Sequence, residues 1–261
     1  MSTYDSGEES SGDLPSPDAY YARLFTKNPV WSTSHPNVEE ARRVAKILPL
    51  LSEVARDHRR RSSDAMRILD LGCGRGWLTY IANAYGECLG IDPVGDVIEF
   101  ARTLFPQLQL EAGTATDLLR NGHAGQYDLV IASEVIEHVL PEERASFVET
   151  VRSLLAAHGA VIVSTDRGEL YERWAKRGGR DQPVEAWLTE PELRTLFTSH
   201  GFRAVRHDRA SYRVADLSIL HRIAESGRIR RALTTARQRW LLEGLRFATA
   251  ECQVWLFRLP S

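Results

Sequence analysis

Between residues 67 and 164, five short apolar runs alternate with helical patterns. The runs lie at 67–71, 88–91, 107–110, 127–132 and 160–164, and the helical stretches near 76–84, 95–105 and 141–157. Each run is rich in Ile, Leu and Val and bounded by Gly, Asp or Ser, the pattern of a buried strand. Parallel strands need a crossover connection, and a helix fills it, so this alternation specifies a parallel sheet covered on both faces. A helical pattern at 190–200 and strands near 202–207 and 253–259 bring the count to seven. The expected fold is α/β: a doubly wound, mostly parallel sheet.

The flanks differ in texture. Residues 1–20 hold Asp5, Glu8, Glu9, Asp13 and Asp18, no basic residue and many Ser, Gly and Pro. That is too little apolar surface to offset the entropy of ordering, so they read as a mobile acidic tail, with a lid that orders over a ligand as the alternative. Residues 21–261 read as one domain. Within it, Val38–Val54 is an amphipathic helix capped by Asn37, with Val44, Ile47, Leu48 and Leu51 on one face and Arg56–Arg61 as a polar connection after it. Residues 213–249 are a helical insertion or cap before the last strand. With 33 basic against 35 acidic residues, the chain lacks the charge to grip nucleic acid with its whole surface. Cys73, Cys88 and Cys252 form no CxxC pair, which excludes a disulfide framework and zinc-ligand spacing. An acidic start and the lack of any long apolar run point to a cytoplasmic protein away from membranes.

The turn after the first strand narrows the ligand. Ile68-Leu69-Asp70-Leu71-Gly72-Cys73-Gly74-Arg75-Gly76-Trp77 carries a strand into a glycine-rich turn that opens a helix, so a ligand can approach bare backbone. A dinucleotide fingerprint requires a small residue where Trp77 stands, and no Gly-Lys-Ser/Thr follows to grip a phosphate. Asp92 closes the second strand 22 residues after Asp70, where a carboxylate can accept both hydroxyls of a ribose.

With these residues in place, Ile68 to Asp166 resembles the class I S-adenosylmethionine-dependent methyltransferases, most closely the O-methyltransferases of ubiquinone biosynthesis. The resemblance implies a Rossmann-like sheet with an N-terminal helical lid. It also implies S-adenosylmethionine as cofactor, with Asp70, Gly72, Gly74 and Gly76 under its methionine half, Asp92 on the ribose and Pro93 against the adenine. Gly113-Thr114-Ala115-Thr116-Asp117-Leu118 is similar to the family's adenine-edge motif, with Thr114 in place of the usual Asp. Thr114 or the Ala115 backbone is expected to serve there, with Ser133 at the end of the fourth strand completing the cofactor set. Asp117 reads equally well as a helix-start residue.

The fourth strand delivers Glu134-Val135-Ile136-Glu137-His138 to the carboxyl edge of the sheet. If residues 134–138 form a helical turn, Glu134, Glu137 and His138 share a face and offer either general-base chemistry or a divalent metal site. Methyl transfer needs in-line alignment and removal of a proton, and an imidazole suits the second task. The string Glu-Val-Ile-Glu-His also resembles the small-RNA 2′-O-methyltransferases, in which such residues bind a metal. Both resembling branches have one further histidine where this chain has Asp181-Gln182-Pro183. Mg²⁺ would need Asp181 or Gln182 as a substitute ligand, so the reading taken is metal-free, with Glu134, Glu137 and His138 as the catalytic set.

The acceptor side is less marked. Tyr20 and Tyr21 before the first long helix, and Tyr171, Trp174 and Trp187 between strand five and the next helix, supply aromatic surface for an acceptor or for plain packing. Residues 221–246 hold seven arginines against two glutamates, which serve a solvated cap, a homodimer contact or, as a weaker alternative, nucleic acid. The leading expectation is methylation of a small-molecule hydroxyl, a phenol or sugar. The alternatives are a small-molecule amine, an RNA 2′-hydroxyl and a cofactor-binding module without turnover.

Overall fold

A computed structural model describes residues 16–176, 182–210 and 250–260. The seven expected strands form one sheet: β1 (Arg67–Leu71), β2 (Glu87–Asp92), β3 (Gln109–Ala112), β4 (Tyr127–Ser133), β5 (Leu155–Asp166), β6 (Arg203–Ala210) and β7 (Cys252–Arg258). Their spatial order is β3-β2-β1-β4-β5-β7-β6. Strands β1 to β5 run parallel, and β7 lies antiparallel between β5 and β6. The helices are α1 (Pro17–Lys27), α2 (Val38–Arg61), α3 (Trp77–Ala82), α4 (Gly95–Leu104), α5 (Ala115–Arg120), α6 (Arg144–Leu154), α7 (Tyr171–Ala175) and α8 (Glu190–Ser199).

Strand alternation divides the core. Ile68, Leu129, Ile131, Ile162 and Leu256 pack against Ile47, Leu51 and Val54 of α2, while Leu69, Val130, Val161 and Phe257 meet Val148, Val151 and Leu154 of α6 and Leu193 and Phe197 of α8. Each fully buried side chain of this kind contributes about 1.5–3 kcal/mol. The sheet is thus held from both sides, and its carboxyl edge is left to the loops.

Three boundaries depart from the sequence reading. α2 runs through Arg56–Arg61 instead of ending before them: its last turn is basic, which suits the negative end of a helix dipole, and His58 is buried with Nε2 bonded to Asp64 O at 3.0 Å. The helix expected over 141–157 stops at Leu154, because Leu155 pairs with Tyr127 and enters β5. β3 starts at Gln109 because pairing with β2 brings Ala112 level with Asp92. The Asn37 cap is present as a capping box: Oδ1 accepts from Glu40 N at 2.9 Å and Glu40 Oε2 accepts from Asn37 N at 2.8 Å. α1 begins at Pro17 behind a Ser16 cap, so its first turn takes in residues assigned to the tail. Residues 1–15, Asp181 and the 213–249 stretch with its arginines lie outside the described residues. Among the described residues no helix is long and apolar enough to cross a membrane.

Candidate active site

Strand order reverses between β1 and β4, and the turns that follow these two strands face each other across the carboxyl edge. Ligands of open α/β sheets sit at such a point. Gly72, Gly74 and Gly76 have φ of +71°, +51° and +84°, the left-handed region that favours glycine. Space is short as well: a Cβ on Gly72 would stand 2.6 Å from Val135 in the facing turn, and one on Gly74 would stand 3.2 Å from the Phe25 ring of α1. Both the β4 turn and the N-terminal helix therefore lie against the glycine turn.

Asp92 organises the second wall. Its Oδ2 accepts from Gly74 N and its Oδ1 from Val94 N, each at 3.0 Å. Burial pushes its pKa up, the two backbone donors oppose that, and Asp18 of α1 adds to the rise. Each oxygen keeps a lone pair for a further donor. Pro93 beside it is exposed. A tight turn with three glycines next to a buried acid with acceptor capacity left has room and acceptors for a nucleoside with its ribose hydroxyls on Asp92.

Arg75, inside the glycine turn, is a functional position that the sequence reading missed. Its guanidinium is buried, and it grips Glu40 with both arms at 2.7 and 2.6 Å. It also donates to Thr33 O at 2.6 Å and His35 O at 3.0 Å, and lies over the Trp31 ring. The turn is thereby tied to the start of α2 and to the segment joining it to α1. The Asn37–Glu40 spacing was visible in the sequence, but nothing local indicates that Glu40 also binds a residue 35 positions on.

Asp70 lies beneath the turn, fully buried, and accepts from Thr79 Oγ1 at 2.7 Å. Burial raises its pKa from 3.8 to about 7, with the Thr79 bond opposing. A carboxyl whose pKa is raised on folding adds stability below pH 4 and loses it as pH climbs toward 7. Asp70→Asn keeps an acceptor for Thr79 and cannot ionise. Its urea stability relative to wild type is expected to rise between pH 5 and pH 8, reaching up to about 4 kcal/mol at the alkaline end. An equal difference at both pH values would refute this.

The Glu134–His138 stretch is not one helical turn. Glu134 has φ +58°, and the turn of 3₁₀ helix begins only at Ile136. The three side chains accordingly take different partners. Glu134 pairs with Arg43 of α2 at 3.2 Å and accepts from Ser164 Oγ at 3.2 Å. Glu137 is buried, accepts from Thr165 Oγ1 at 2.9 Å, and has its pKa pushed well up by burial and by Glu134 beside it. Both effects favour its protonated form, and its side chain is enclosed. His138 Nδ1 lies 2.8 Å from Val184 O and 3.1 Å from the Tyr21 hydroxyl. A carbonyl only accepts, so Nδ1 carries the proton and Nε2 the lone pair. No described residue bonds to Nε2. Burial lowers the pKa of His138, with the Val184 bond and Glu134 opposing, so the ring is neutral at pH 7.

Among the described residues no three His, Cys, Asp or Glu side chains stand together as a metal would require. As placed, Glu134 is engaged by Arg43 and Glu137 by Thr165, and Asp181, the substitute ligand that Mg²⁺ would call on, lies outside the described residues.

The other expected positions fall into two groups. Ser133 Oγ bonds Ser164 Oγ at 2.8 Å at the end of β4. Thr114 caps α5: its Oγ1 donates to Asp117 Oδ2 at 2.6 Å and accepts from Asp117 N at 3.2 Å. That gives Asp117 the helix-start role. Tyr171, Trp174 and Trp187 pack on one another with ring centroids 4.8–5.9 Å apart, half-buried. Tyr20 meets Tyr21 edge-on at 5.2 Å, and Tyr21 meets His138 at 5.5 Å, so of the five aromatics Tyr21 reaches the candidate base.

This strand order, with an antiparallel seventh strand and an acid facing a glycine turn, defines a Rossmann-like nucleoside-binding architecture. The chain belongs to the methyltransferase domain family, whose model matches residues 37–207. It is 36% identical over 107 residues to a ubiquinone biosynthesis O-methyltransferase of Caulobacter, covering 39% of this chain and 41% of that protein. Over 108 residues it is 34% identical to the mitochondrial ubiquinone biosynthesis O-methyltransferase of Rattus norvegicus, covering 38% and 30%. The chain thus spans less than half the length of these curated relatives. It shares its fold with the 1,6-didemethyltoxoflavin-N1-methyltransferase of Burkholderia thailandensis, solved with 1,6-didemethyltoxoflavin and S-adenosylhomocysteine, at 15% identity and a TM-score of 0.54 over 97% of this chain and 94% of that one.

Proposed function

We propose that the chain methylates a hydroxyl of a small molecule from S-adenosylmethionine, with His138 as the base. The observation that carries this reading is the half-buried imidazole at the carboxyl edge, neutral, with Nδ1 committed to Val184 O and the Nε2 lone pair unclaimed among the described residues. The bound cofactor supplies an activated methyl group on a sulfonium. The chain does the rest: the Gly72–Gly76 turn and Asp92 hold the nucleoside, Tyr21 and α1 cover the edge, and His138 Nε2 takes the acceptor's hydroxyl proton as its oxygen becomes a nucleophile. The Ala115 backbone and Pro93 serve the adenine, and the aromatic cluster of Tyr171, Trp174 and Trp187 borders the acceptor.

The test is calorimetric titration of S-adenosylhomocysteine into wild type and Asp92→Ala. Hydrogen bonds to an ionised acceptor are worth about 1.5–3 kcal/mol each, so losing the carboxylate weakens binding on the order of 100-fold. Equal affinity in the two proteins would remove Asp92 from the site, and no wild-type affinity would remove the donor assignment.

A further inference from the structure

The proton-bearing side of His138 is wired to a carboxylate through two side chains, an arrangement that rests on His138 being the base but assigns new residues to the work. We propose that Tyr21 and Gln182 are positioning residues that hold His138 in its Nδ1–H tautomer and relay the charge of Glu185 to it.

The direction of every bond in this chain is determined by its neighbours. Val184 O lies 2.8 Å from Nδ1 and can only accept, which puts the proton on Nδ1. The Tyr21 hydroxyl donates to Gln182 Oε1 at 3.3 Å, so the lone pair of Oη faces Nδ1–H at 3.1 Å. Gln182 Nε2 in turn donates to Glu185 Oε1 at 3.3 Å. When Nε2 gains a proton, the imidazolium charge meets a line of dipoles that ends on a carboxylate, much as a directly bonded acid orients and stabilises a catalytic histidine.

The support is rigid where it has to be. Ala186 N donates to Glu137 O at 2.9 Å, and the Arg144 guanidinium bonds both Ala186 O and Val139 O, which pins the 184–186 segment to the β4 turn. Of the described ionisable groups, Glu134 and Tyr21 act on the imidazole, and Tyr20, Glu137, Glu185 and Asp92 act on Tyr21 beside it. Burial raises the Tyr21 pKa, so its hydroxyl stays protonated and available to Gln182 across the neutral range. Because Tyr21 belongs to α1, the base is completed only when that helix is docked on the glycine turn.

The experiment reads the imidazole itself, by long-range ¹H–¹⁵N spectra of the labelled full chain, with His138 assigned through its loss in His138→Gln. Tyr21→Phe retains the ring contacts and removes Oη, while Gln182→Leu cuts the chain one link further out. Tyr21→Phe is expected to lower the pH at which His138 titrates by about half to one unit, since one acceptor on the charged form is lost, and to speed exchange of the Nδ1 proton; Gln182→Leu, which leaves Oη in place and removes only its polarisation, is expected to shift both in the same direction by less. Unchanged titration and exchange in both folded variants would overturn the proposal. Spectra are taken with and without S-adenosylhomocysteine, whose affinity is measured separately by calorimetry. A wild type that does not bind it refutes the donor reading, while the imidazole titration still decides on the positioning chain.

Discussion

Arg75→Met lowers the stability of the protein by about 3–5 kcal/mol, because it leaves the Glu40 carboxylate buried and unpaired. Among the described residues the guanidinium is bonded to Glu40, Thr33 O and His35 O and lies over the Trp31 ring, contacts that a methionine cannot replace. The damage extends past the ion pair. Glu40 closes the capping box of α2, and Arg75 sits between two of the three glycines that face the nucleoside. Urea unfolding reads the stability, and S-adenosylhomocysteine calorimetry reads the turn, which is expected to lose affinity along with its anchor. The double variant Arg75→Met/Glu40→Met separates the causes: it removes both charges, so it recovers much of the loss in stability if an orphaned carboxylate is responsible. A single Arg75→Met variant within 1 kcal/mol of wild type, on the scale of a surface ion pair, would refute the anchoring role.

What was legible in the sequence follows from the range of the interactions involved. The strands, the glycine turn and Asp92 were readable because period, turn chemistry and strand-end position are local properties. Ile68 and Leu69 alternate faces, and a left-handed turn demands glycine wherever it occurs. Arg75 and Tyr21 were not readable as a bound anchor and a latch, since their partners Glu40 and His138 lie 35 and 117 positions away. The Glu134–His138 stretch failed for a different reason. A helical turn would have put its three polar groups on one face, but the positive φ of Glu134 delays the 3₁₀ turn to Ile136, and Arg43 of α2 engages the Glu134 carboxylate. The Thr114–Asp117 pair was readable as a capping box, and the geometry gives it that role.

Replacing His138 by Ala is expected to cut turnover by about 10²–10⁴-fold, the usual worth of a positioned general base, while S-adenosylhomocysteine affinity stays within a few-fold of wild type. The separation is expected because the groups proposed to hold the nucleoside, Asp92 and the glycine turn, have no bond to the imidazole among the described contacts, whereas Tyr21 and Val184 O do. The pH profile carries the sign. A base works unprotonated, so wild-type turnover falls as acid protonates Nε2. The midpoint lies below the ordinary histidine value of 6.5, because burial disfavours the imidazolium more than the Val184 carbonyl and Glu134 favour it. In His138→Ala that acid limb is gone and the residual rate is flat there. Turnover is followed as S-adenosylhomocysteine release from a panel of phenols, sugars and amines. Phenol or sugar turnover at wild-type rate in His138→Ala would sink the base assignment. Amine turnover that survives the substitution while hydroxyl acceptors stay silent in both proteins would move the acceptor atom from oxygen to nitrogen, since an amine that enters uncharged can attack without first giving up a proton.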